Sequence, residues 1–231
     1  MKEQYATDLT DGQWQKLERL LPKSSNRGRK RLDRRIVMNA ILYLNRTGCQ
    51  WRMLPKTFPN WKSVYTVFWR WRREGLWELV HDCLRKMTRQ AVGKKPTPTA
   101  AIIDSQSVKT TEVGGAERGF DAGKKVTGRK RHLVVDTLGL VLAIVIHSAS
   151  VQDQDGARLV LATLKEKYRR LKVVFADSAY KRQGLPGWLF ETYHILLQAV
   201  LRPVGIKGFV ILPKRWVVER TFAWINRCRR N

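Results

Sequence analysis

The chain has 231 residues, of which 43% are apolar, so it is long enough to bury a core in one large or two small domains. Lysine and arginine outnumber aspartate and glutamate by 45 to 19, which gives a formal net charge of +26. The apolar fraction argues against a disordered chain. The charge balance favours a polyanionic partner, because like charges on a compact body repel each other unless a partner neutralises them.

The cysteine spacing and the length of the apolar runs indicate where in the cell the protein is found. Cys49, Cys83 and Cys228 lie far apart and form no C-x-x-C pair, which argues against a zinc site and against a disulfide framework. The first residues lack the apolar core of a signal peptide, and the longest apolar stretch, 140–146, is too short to cross a bilayer. We therefore expect a soluble protein of the reducing cytoplasm with no membrane partner.

Up to about residue 92 the sequence predicts a small helical domain. Thr10 opens a capping-box-like sequence before a first helix that Pro22 ends. Further helices are predicted from near Asp33, from Asn60 and after Gly75, because apolar residues follow each at helical spacing. Basic helices joined by short turns are compatible with helix-turn-helix DNA binding, but the motif has no sharp signature in this sequence.

Two features of this region suggest contacts with nucleic acid. Five of the nine tryptophans lie between Trp51 and Trp77, where they could stack on bases. Aromatic residues at helical spacing more often belong to a core, so we expect these side chains to pack inside the domain. The basic run 27–31 includes Arg29 and Lys30, which are candidate DNA contacts with a solvated surface as the alternative.

Residues 93–99 predict a linker, after which the periodicity changes to that of an α/β domain. The segment 112–128, rich in Gly and Lys, predicts a loop. The elements expected in this domain are strands at 100–104, 172–176, 195–200 and 209–212, a hairpin of 131–135 and 140–146 around a turn at 136–139, and helices at 154–168, around 187–193 and from about 215.

Three acidic residues stand out in this basic chain. Asp104 and Asp177 each end an apolar run that predicts a buried strand, and Glu219 lies in the last predicted helix. If the two strands are neighbours, both carboxylates emerge at adjacent strand ends, where a glutamate on the closing helix can reach them. Such a set can bind two Mg²⁺ ions about 3.5–4 Å apart, an arrangement that suits phosphodiester transfer.

Each of these acids also has a purely structural explanation. Asp104 could open a turn, Asp177 with Ser178 could cap a helix, and Glu219 could pair with Arg215 one turn before it. We favour the metal-site interpretation. Without it, all three acids would need separate structural roles at once, in a basic chain with this order of elements.

Several segments resemble one known family. They are 104–109 (DSQSVK), 128–139 (GRKRHLVVDTLG), 149–153 (ASVQD), 176–180 (ADSAY) and 215–224 (RWVVERTFAW). They are similar to segments of the DDE transposases of bacterial insertion sequences, of the IS5 group within the IS4-like superfamily. The segments 11–14 and 48–55 resemble the helical N-terminal domain of the same proteins, so the similarity covers almost the whole chain.

The resemblance implies a two-domain organisation. An all-α DNA-binding domain over residues 1–92 and a linker over 93–99 would precede an α/β, RNase H-like catalytic domain, with a mixed sheet flanked by helices, over 100–231. Enzymes of this family cut double-stranded DNA at the terminal inverted repeats of the insertion element and join the freed 3′ hydroxyl to target DNA. This implies a bacterial protein associated with the nucleoid. We expect a homodimer in the active complex.

The resemblance also assigns roles to individual residues. Asp104, Asp177 and Glu219 would be the catalytic, metal-binding triad, holding two Mg²⁺ ions for which Mn²⁺ can substitute. Arg215 stands four residues before Glu219, as the arginine of the family's Y-R-E-K signature does. On a helix it would share the glutamate's face and hold a DNA phosphate, with an intrahelical ion pair as the alternative.

The sequence departs from the signature at two positions. The tyrosine position is Leu212 and the lysine position is Asn226, so a DNA-clamping lysine is not carried over, and Arg227 or Arg229 are candidates to replace it. The 42 residues from Asp177 to Glu219 also leave little room for the β-rich insertion of some relatives, so we expect a compact catalytic core.

The end of the sequence leaves the function open between alternatives. Similar proteins continue past the helix that bears Glu219, so we expect a C-terminally incomplete copy. Such a copy is either an active transposase or an inactive protein that only binds the inverted repeats and regulates transposition. A structure-selective nuclease on the same fold is a third alternative.

Other polar residues near the predicted active face complete the candidates. Lys109, Lys130 and Arg131 are candidate DNA contacts, the last two because they lie at the start of a predicted strand at the rim of the sheet; a solvated hairpin edge is the alternative. His132 has no second His or Cys at ligand spacing, so we expect a structural role for it.

Acidic residues at the ends of predicted elements have simpler roles. We expect Asp136 to form the hairpin turn, and Asp153 and Asp155 to cap the helix that follows.

Overall fold

A computed structural model describes residues 5–22, 32–111, 115, 117–164, 167–201, 212 and 214–229. The chain divides into two compact units, one of Met1–Thr88 with Trp224–Asn231 and the other of Arg89–Ala223. None of the helices in these ranges has the length and apolar character needed to cross a bilayer.

The N-terminal unit is helical, as its sequence predicts. Its helices are α1 Asp11–Glu18, α2 Arg34–Thr47, α3 Trp61–Arg73 and α4 Leu76–Ala91, of which the last continues into the second unit. Thr10 caps α1 in a reciprocal capping box with Gln13, while Asp33 and Asn60 cap α2 and α3 with their side chains. The predicted helix starts are therefore confirmed.

The core of this unit is built from aliphatic residues and tryptophans. Trp71 is buried with Val37 and Val64, and its ring meets that of Trp77 edge to face at 5.7 Å. Trp51 and Trp61 pack against the same cluster. The expectation that the tryptophans are core residues is wrong for Trp69 alone, whose side chain on α3 is exposed.

The second unit contains one mixed sheet, which has six strands in the described part of the chain. They are β1 Ala100–Lys109, β2 Gly119–Asp121, β3 Val126–Asp136, β4 Val141–Ser148, β5 Val173–Ala176 and β6 Leu196–Ala199. The order is β2-β3-β1-β5-β6, and β4 pairs with β3 in the predicted hairpin. β1 is antiparallel to β3 and parallel to β5, which is parallel to β6. The predicted α/β class with a mixed sheet is confirmed.

Three helices accompany this sheet: α5 Asp153–Ala162, α6 Leu185–Tyr193 and α7 Arg215–Asn226. A short 3-10 helix, Ser178–Lys181, follows β5. Ala101 and Ile103 of β1 share one buried cluster with Leu161 of α5 and Leu189 of α6. Since side chains alternate along a strand, the even-numbered residues of β1 face the opposite side of the sheet.

Three predicted boundaries differ from the structure, the first being that the strand expected at 100–104 continues to Lys109, so that Asp104 lies inside β1. The expected loop 112–128 contains β2 and the start of β3, because pairing with distant strands extends a segment that has no apolar period. Gly128 permits this pairing, since a Cβ there would lie 1.9 Å from the Val108 carbonyl oxygen. The expected helix 154–168 ends at Ala162. Of the expected strand 209–212, residues 209–211 lie outside the described residues.

Candidate active site

The pairing of β1 with β5 aligns two of the three candidate acids. Ala100 pairs with Val173 and Ile102 with Phe175, in parallel register. Asp104 and Asp177 each lie two residues beyond this last pair, so they occupy equivalent positions on neighbouring strands. Because the side-chain period is two, Asp104 lies on the same face of the sheet as Ile102, while Asp177 directly follows the last residue of β5.

The two carboxylate oxygens of Asp177 have different surroundings. Oδ1 accepts a hydrogen bond of 2.8 Å from the Ala179 amide and caps the short 3-10 helix. Oδ2 lies 3.9 Å from the Arg215 guanidinium. The capping role considered from the sequence is therefore real, and it leaves one oxygen turned toward α7.

Arg215 links this strand end to the third acid. Its Nη2 lies 3.6 Å from Oε1 of Glu219, one turn further along α7, as well as near Asp177. The Glu219 side chain is half exposed. The intrahelical ion pair that the sequence allowed does form, and the same guanidinium brings the charges of α7 and β5 together.

The position of α7 is fixed by the hairpin turn between β3 and β4. The Thr221 hydroxyl donates to the Gly139 carbonyl oxygen at 2.9 Å, and Arg220 donates to the Leu138 carbonyl oxygen at 2.9 Å. Gly139 has φ +86°, and a Cβ there would lie 2.9 Å from the Thr221 hydroxyl oxygen. Glycine at this position thus allows the close approach that orients the helix bearing Glu219.

The electrostatics of Asp104 show that it belongs to this group of charges. Burial raises the pKa of Asp104 to about 6, and repulsion from Asp177 acts in the same direction. The Ser105 amide, which donates to Oδ1 at 2.8 Å, and the positive charges of Arg215 and Lys124 oppose this rise without cancelling it. Burial thus favours the protonated form of the Asp104 carboxyl, and the neighbouring cations offset this only in part.

A polar cluster lies on the opposite face of β1, directly behind Asp104. The Ser105 hydroxyl donates to Oδ1 of Asp153 at 2.9 Å. Lys130 Nζ lies 3.1 Å from the same oxygen and 3.3 Å from Oδ2 of Asp121, which also accepts a hydrogen bond from the Ser107 hydroxyl. This cluster of alternating charges joins β1, β2, β3 and α5.

Lys130 and Arg131 do not lie at an exposed rim. β3 begins at Val126, so both residues fall inside a strand that is paired on both edges, and both side chains are buried. Arg131 points to the other face, where its guanidinium donates to Gln106 and lies 6.0 Å from the centre of the Phe222 ring. The expectation of surface DNA contacts at these two positions is corrected by this burial.

The remaining candidate DNA contacts are placed as follows. Lys109 is exposed at the last residue of β1, five residues beyond Asp104. Arg29 and Lys30 lie outside the described residues. Arg227 and Arg229 follow the end of α7.

The structure also identifies residues that the sequence interpretation missed. Lys124 donates from Nζ to the carbonyl and hydroxyl oxygens of Ser105, at 3.1 and 3.3 Å, and so brings a positive charge near Asp104. Asp121 was also overlooked, because it lies in the segment expected to be a loop. The alternation of Ser105 and Ser107 along β1 is the sequence signal for a polar patch behind Asp104.

The remaining polar residues have structural roles, two of them as predicted. His132 is completely buried beside His147, with 2.8 Å between their ring nitrogens, and burial lowers the pKa of His132 to about 3. Asp136 Oδ1 accepts hydrogen bonds from the amides of residues 138 and 140, as the predicted turn requires. Asp153 and Asp155 lie in the first turn of α5, whose cap is Gln152, so the capping prediction is wrong.

The three acids do not form a ligand cluster as they stand. Across the residues that the structure describes, no three His, Cys, Asp or Glu side chains are grouped so that they could hold a metal ion. Asp104 and Asp177 are aligned, but Glu219 contacts the Arg215 guanidinium, which also lies near Asp177.

Two family models match the chain. The model described as "Transposase DDE domain" matches residues 95–231, and the model described as "Putative transposase of IS4/5 family" matches residues 9–81. The first match agrees with the mixed sheet of the second unit and confirms the predicted RNase H-like fold class.

Proteins from two bacteria are similar to parts of the chain. The "Insertion element IS402 uncharacterized 16.2 kDa protein" of Burkholderia cepacia is 29% identical over 115 residues, which cover 46% of this chain and 76% of that protein. The "Uncharacterized protein y4sN" of Sinorhizobium fredii is 27% identical over 85 residues, which cover 36% of this chain and 65% of that protein.

Proposed function

Because the chain belongs to the family of transposases with a DDE domain, we propose that it cuts DNA at the ends of an insertion element and joins the freed 3′ hydroxyl to target DNA. The observation that carries this proposal is the in-register pairing of β1 with β5, which supports Asp104 and Asp177 as neighbouring acids of one site. Both acids lie just beyond the parallel pairing of β1 with β5, Asp104 inside β1 and Asp177 directly after β5, and catalytic residues of α/β sheets commonly lie at this edge of parallel strands.

We propose Asp104, Asp177 and Glu219 as the ligands of two Mg²⁺ ions, which Mn²⁺ can replace. Carboxylate oxygens are the ligands that these cations prefer. The environment of Asp104 fits this role, since a nearby cation would offset both its burial and its repulsion from Asp177. When bound, such ions stabilise the charge that develops on the phosphate and lower the pKa of an attacking water.

The proposed roles of the protein's own residues follow from their positions. Arg215 would hold a phosphate oxygen of the DNA, as its guanidinium donors can bind such an oxygen in place of the carboxylates. The contacts of Thr221 and Arg220 with the hairpin turn would hold Glu219 against the strand ends during the reaction. Water and then the 3′ hydroxyl would attack in line, without a covalent protein intermediate.

The proposed substrates are duplex DNA with the element's terminal inverted repeats and a second duplex as target. A homodimer would hold two element ends at once. The net charge of +26 is consistent with a protein that binds two duplexes.

A cleavage assay tests the proposal. A labelled duplex carrying the inverted repeat that flanks the gene is incubated with the protein in Mg²⁺, in Mn²⁺ or in EDTA. We expect cleavage only with a divalent ion, and a loss of at least about a thousandfold in rate for Asp104→Asn and Asp177→Asn, because each removes a charged ligand. Binding of the duplex, measured by gel shift, should be retained.

Asp155→Asn is the matched control, since this exposed aspartate lies in the same unit and is absent from the proposed site. It should cleave like the wild type. If Asp104→Asn or Asp177→Asn cleaves at the wild-type rate, the site is misassigned. A wild-type protein that shifts the duplex but never cuts it would instead be a DNA-binding regulator, and one that cuts without joining would be a nuclease.

A further inference from the structure

An unusually one-sided charge pattern lies in the helical unit. The segment 34–73 contains no aspartate or glutamate and nine lysine or arginine residues. It spans α2, the short 3-10 helix Trp51–Met53 and α3. A stretch of this length without acidic residues is a strong local source of positive potential.

The structure separates these nine cations into two groups. Arg34 and Arg35 form ion pairs with Glu18 and Asp11 of α1, and Arg46 donates to the Arg227 carbonyl oxygen. The other six are exposed and form no ion pair with any residue that the structure describes; they are Arg52, Lys56, Lys62, Arg70, Arg72 and Arg73. The unpaired charge is therefore concentrated on α3 and on the segment that leads into it.

One face of α3 gathers most of this charge. Its exposed residues follow helical spacing and are Lys62, Thr66, Trp69, Arg70 and Arg73. The opposite face carries Val64 and Trp71, which are buried in the core and fix the helix on the unit. The Trp69 side chain is 40% exposed, with the Arg72 guanidinium 5.1 Å from its ring centre.

We propose that this face of α3 enters the major groove of duplex DNA and reads the terminal inverted repeat. An α-helix with its side chains is about 10–12 Å wide, which matches the major groove of about 12 Å. Arg70 and Trp69, in the C-terminal half of the exposed face, contact base edges, the first by hydrogen bonds and the second by apolar contact with thymine methyl groups. Lys62 and Arg73, near the two ends of the helix, contact phosphates.

The choice of duplex DNA as the partner rests on the proposed function. The exposed face of α3 carries cations, and among them lie the hydroxyl of Thr66 and the indole of Trp69. This combination suits groove binding, which needs phosphate contacts for affinity and base-edge contacts for specificity.

The test compares two triple variants that lose the same charge. Lys62→Ala, Arg70→Ala and Arg73→Ala together remove the α3 cations, while Lys16→Ala, Arg19→Ala and Lys86→Ala together remove three exposed cations elsewhere in the same unit. Fluorescence anisotropy measures binding to a labelled duplex with the inverted repeat and to a scrambled duplex of equal composition. Thermal melting checks the fold, and a variant that melts lower is replaced by its glutamine counterpart.

We expect the α3 triple variant to bind the repeat about a hundredfold more weakly than the wild type. Its slope of log K against log salt should fall by about 1.8, because two phosphate contacts are lost and each is worth about 0.9. The matched triple variant should stay within about threefold of the wild type, since exposed charges away from the DNA are screened.

A single substitution distinguishes sequence-specific base contacts from non-specific electrostatic binding. Trp69→Ala should lower the preference for the repeat over the scrambled duplex by about tenfold while leaving the salt slope unchanged. If the preference stays at the wild-type value, or if the α3 triple variant binds like its matched control, the α3 proposal is wrong.

The same experiment distinguishes this proposal from the catalytic one. If the catalytic proposal alone fails, the wild type binds the repeat without cutting it and the contrast between the triple variants remains. If the α3 proposal alone fails, the α3 triple variant binds and cuts like the wild type.

Discussion

The two units use positive charge in opposite ways. On α3, cations such as Lys62 and Arg70 are exposed and have no acidic neighbour within the segment that carries them. In the second unit, Lys130 is buried between Asp121 and Asp153, and Arg89 is buried in an ion pair with Asp136. The first group is available to a polyanion, whereas in the second group Lys130 joins strands and α5, and Arg89 joins α4 to β3.

This difference shows why net charge alone does not identify a binding residue. Lys130 belongs to a basic run that reads as a DNA contact in the sequence, yet its ammonium group is surrounded by carboxylates. Removing an exposed cation should change DNA binding and leave stability unchanged, whereas removing a buried one should do the reverse. The following predictions use that contrast.

The largest effect is expected for Lys130→Met. Methionine keeps the length of the side chain but leaves Asp121 and Asp153 without their counter-charge and the Val151 carbonyl oxygen without its donor. We expect the free energy of unfolding to fall by about 3–5 kcal/mol, as for other broken buried ion pairs. Urea denaturation followed by circular dichroism measures the loss.

Lys172→Met is the control for this change, because Lys172 is an exposed lysine of the same unit. It should alter the unfolding free energy by less than about 0.5 kcal/mol. Adding Asp121→Asn to Lys130→Met should recover part of the loss, since it removes one uncompensated charge. Equal stability of Lys130→Met and Lys172→Met would show that the buried cluster contributes nothing.

Acid should weaken the same cluster. Burial alone would raise the pKa of Asp121 from its usual 3.8, but hydrogen bonds from Ser107 and the Lys124 amide, together with Lys130, hold this pKa at about 2. A folded-state pKa below the unfolded value stabilises the fold above about pH 4, and this contribution is lost as the pH falls toward 2. Melting temperatures measured between these values should therefore drop.

Asp121→Asn tests the origin of this drop. The variant should be less stable at neutral pH and should lose less stability than the wild type between pH 4 and 2, with Asp153, whose pKa is also lowered, keeping part of the slope. The exposed control Asp155→Asn should keep the wild-type slope. An unchanged slope in Asp121→Asn would place the acid sensitivity elsewhere.

The sequence predicts the start of β1 and of β5 well because the apolar signal is local. An apolar run followed by aspartate identifies both the strand and the acid, as for Asp104 and Asp177, although β1 continues past Asp104 to Lys109. Their alignment depends on the register between β1 and β5, which pairs residues more than seventy positions apart. No local pattern encodes that register. From the sequence, the proximity of the two acids therefore depends on the assumption that their strands are neighbours.

The same reasoning explains the misplaced basic residues. Whether Lys130 is exposed depends on where β3 begins, and β3 starts at Val126 because it pairs there with β2 and further along with the end of β1. The sequence places the strand start at residue 131, where the apolar run begins. The earlier start puts Lys130 and Arg131 within the paired strand, where alternation sends them to opposite faces.

The smallest effect on stability is expected for Lys109→Ala. Lys109 is the exposed last residue of β1, so its removal should change the free energy of unfolding by less than about 0.5 kcal/mol. If its ammonium group contacts a DNA phosphate, the slope of log K against log salt for DNA binding should fall by about 0.9, equally for repeat and scrambled duplexes. Anisotropy titrations over a range of salt measure this slope, with Lys172→Ala as the control.

A stable variant with the wild-type slope would remove Lys109 from the DNA contacts. A large loss of stability would instead show that exposure does not distinguish DNA-binding cations from structural ones.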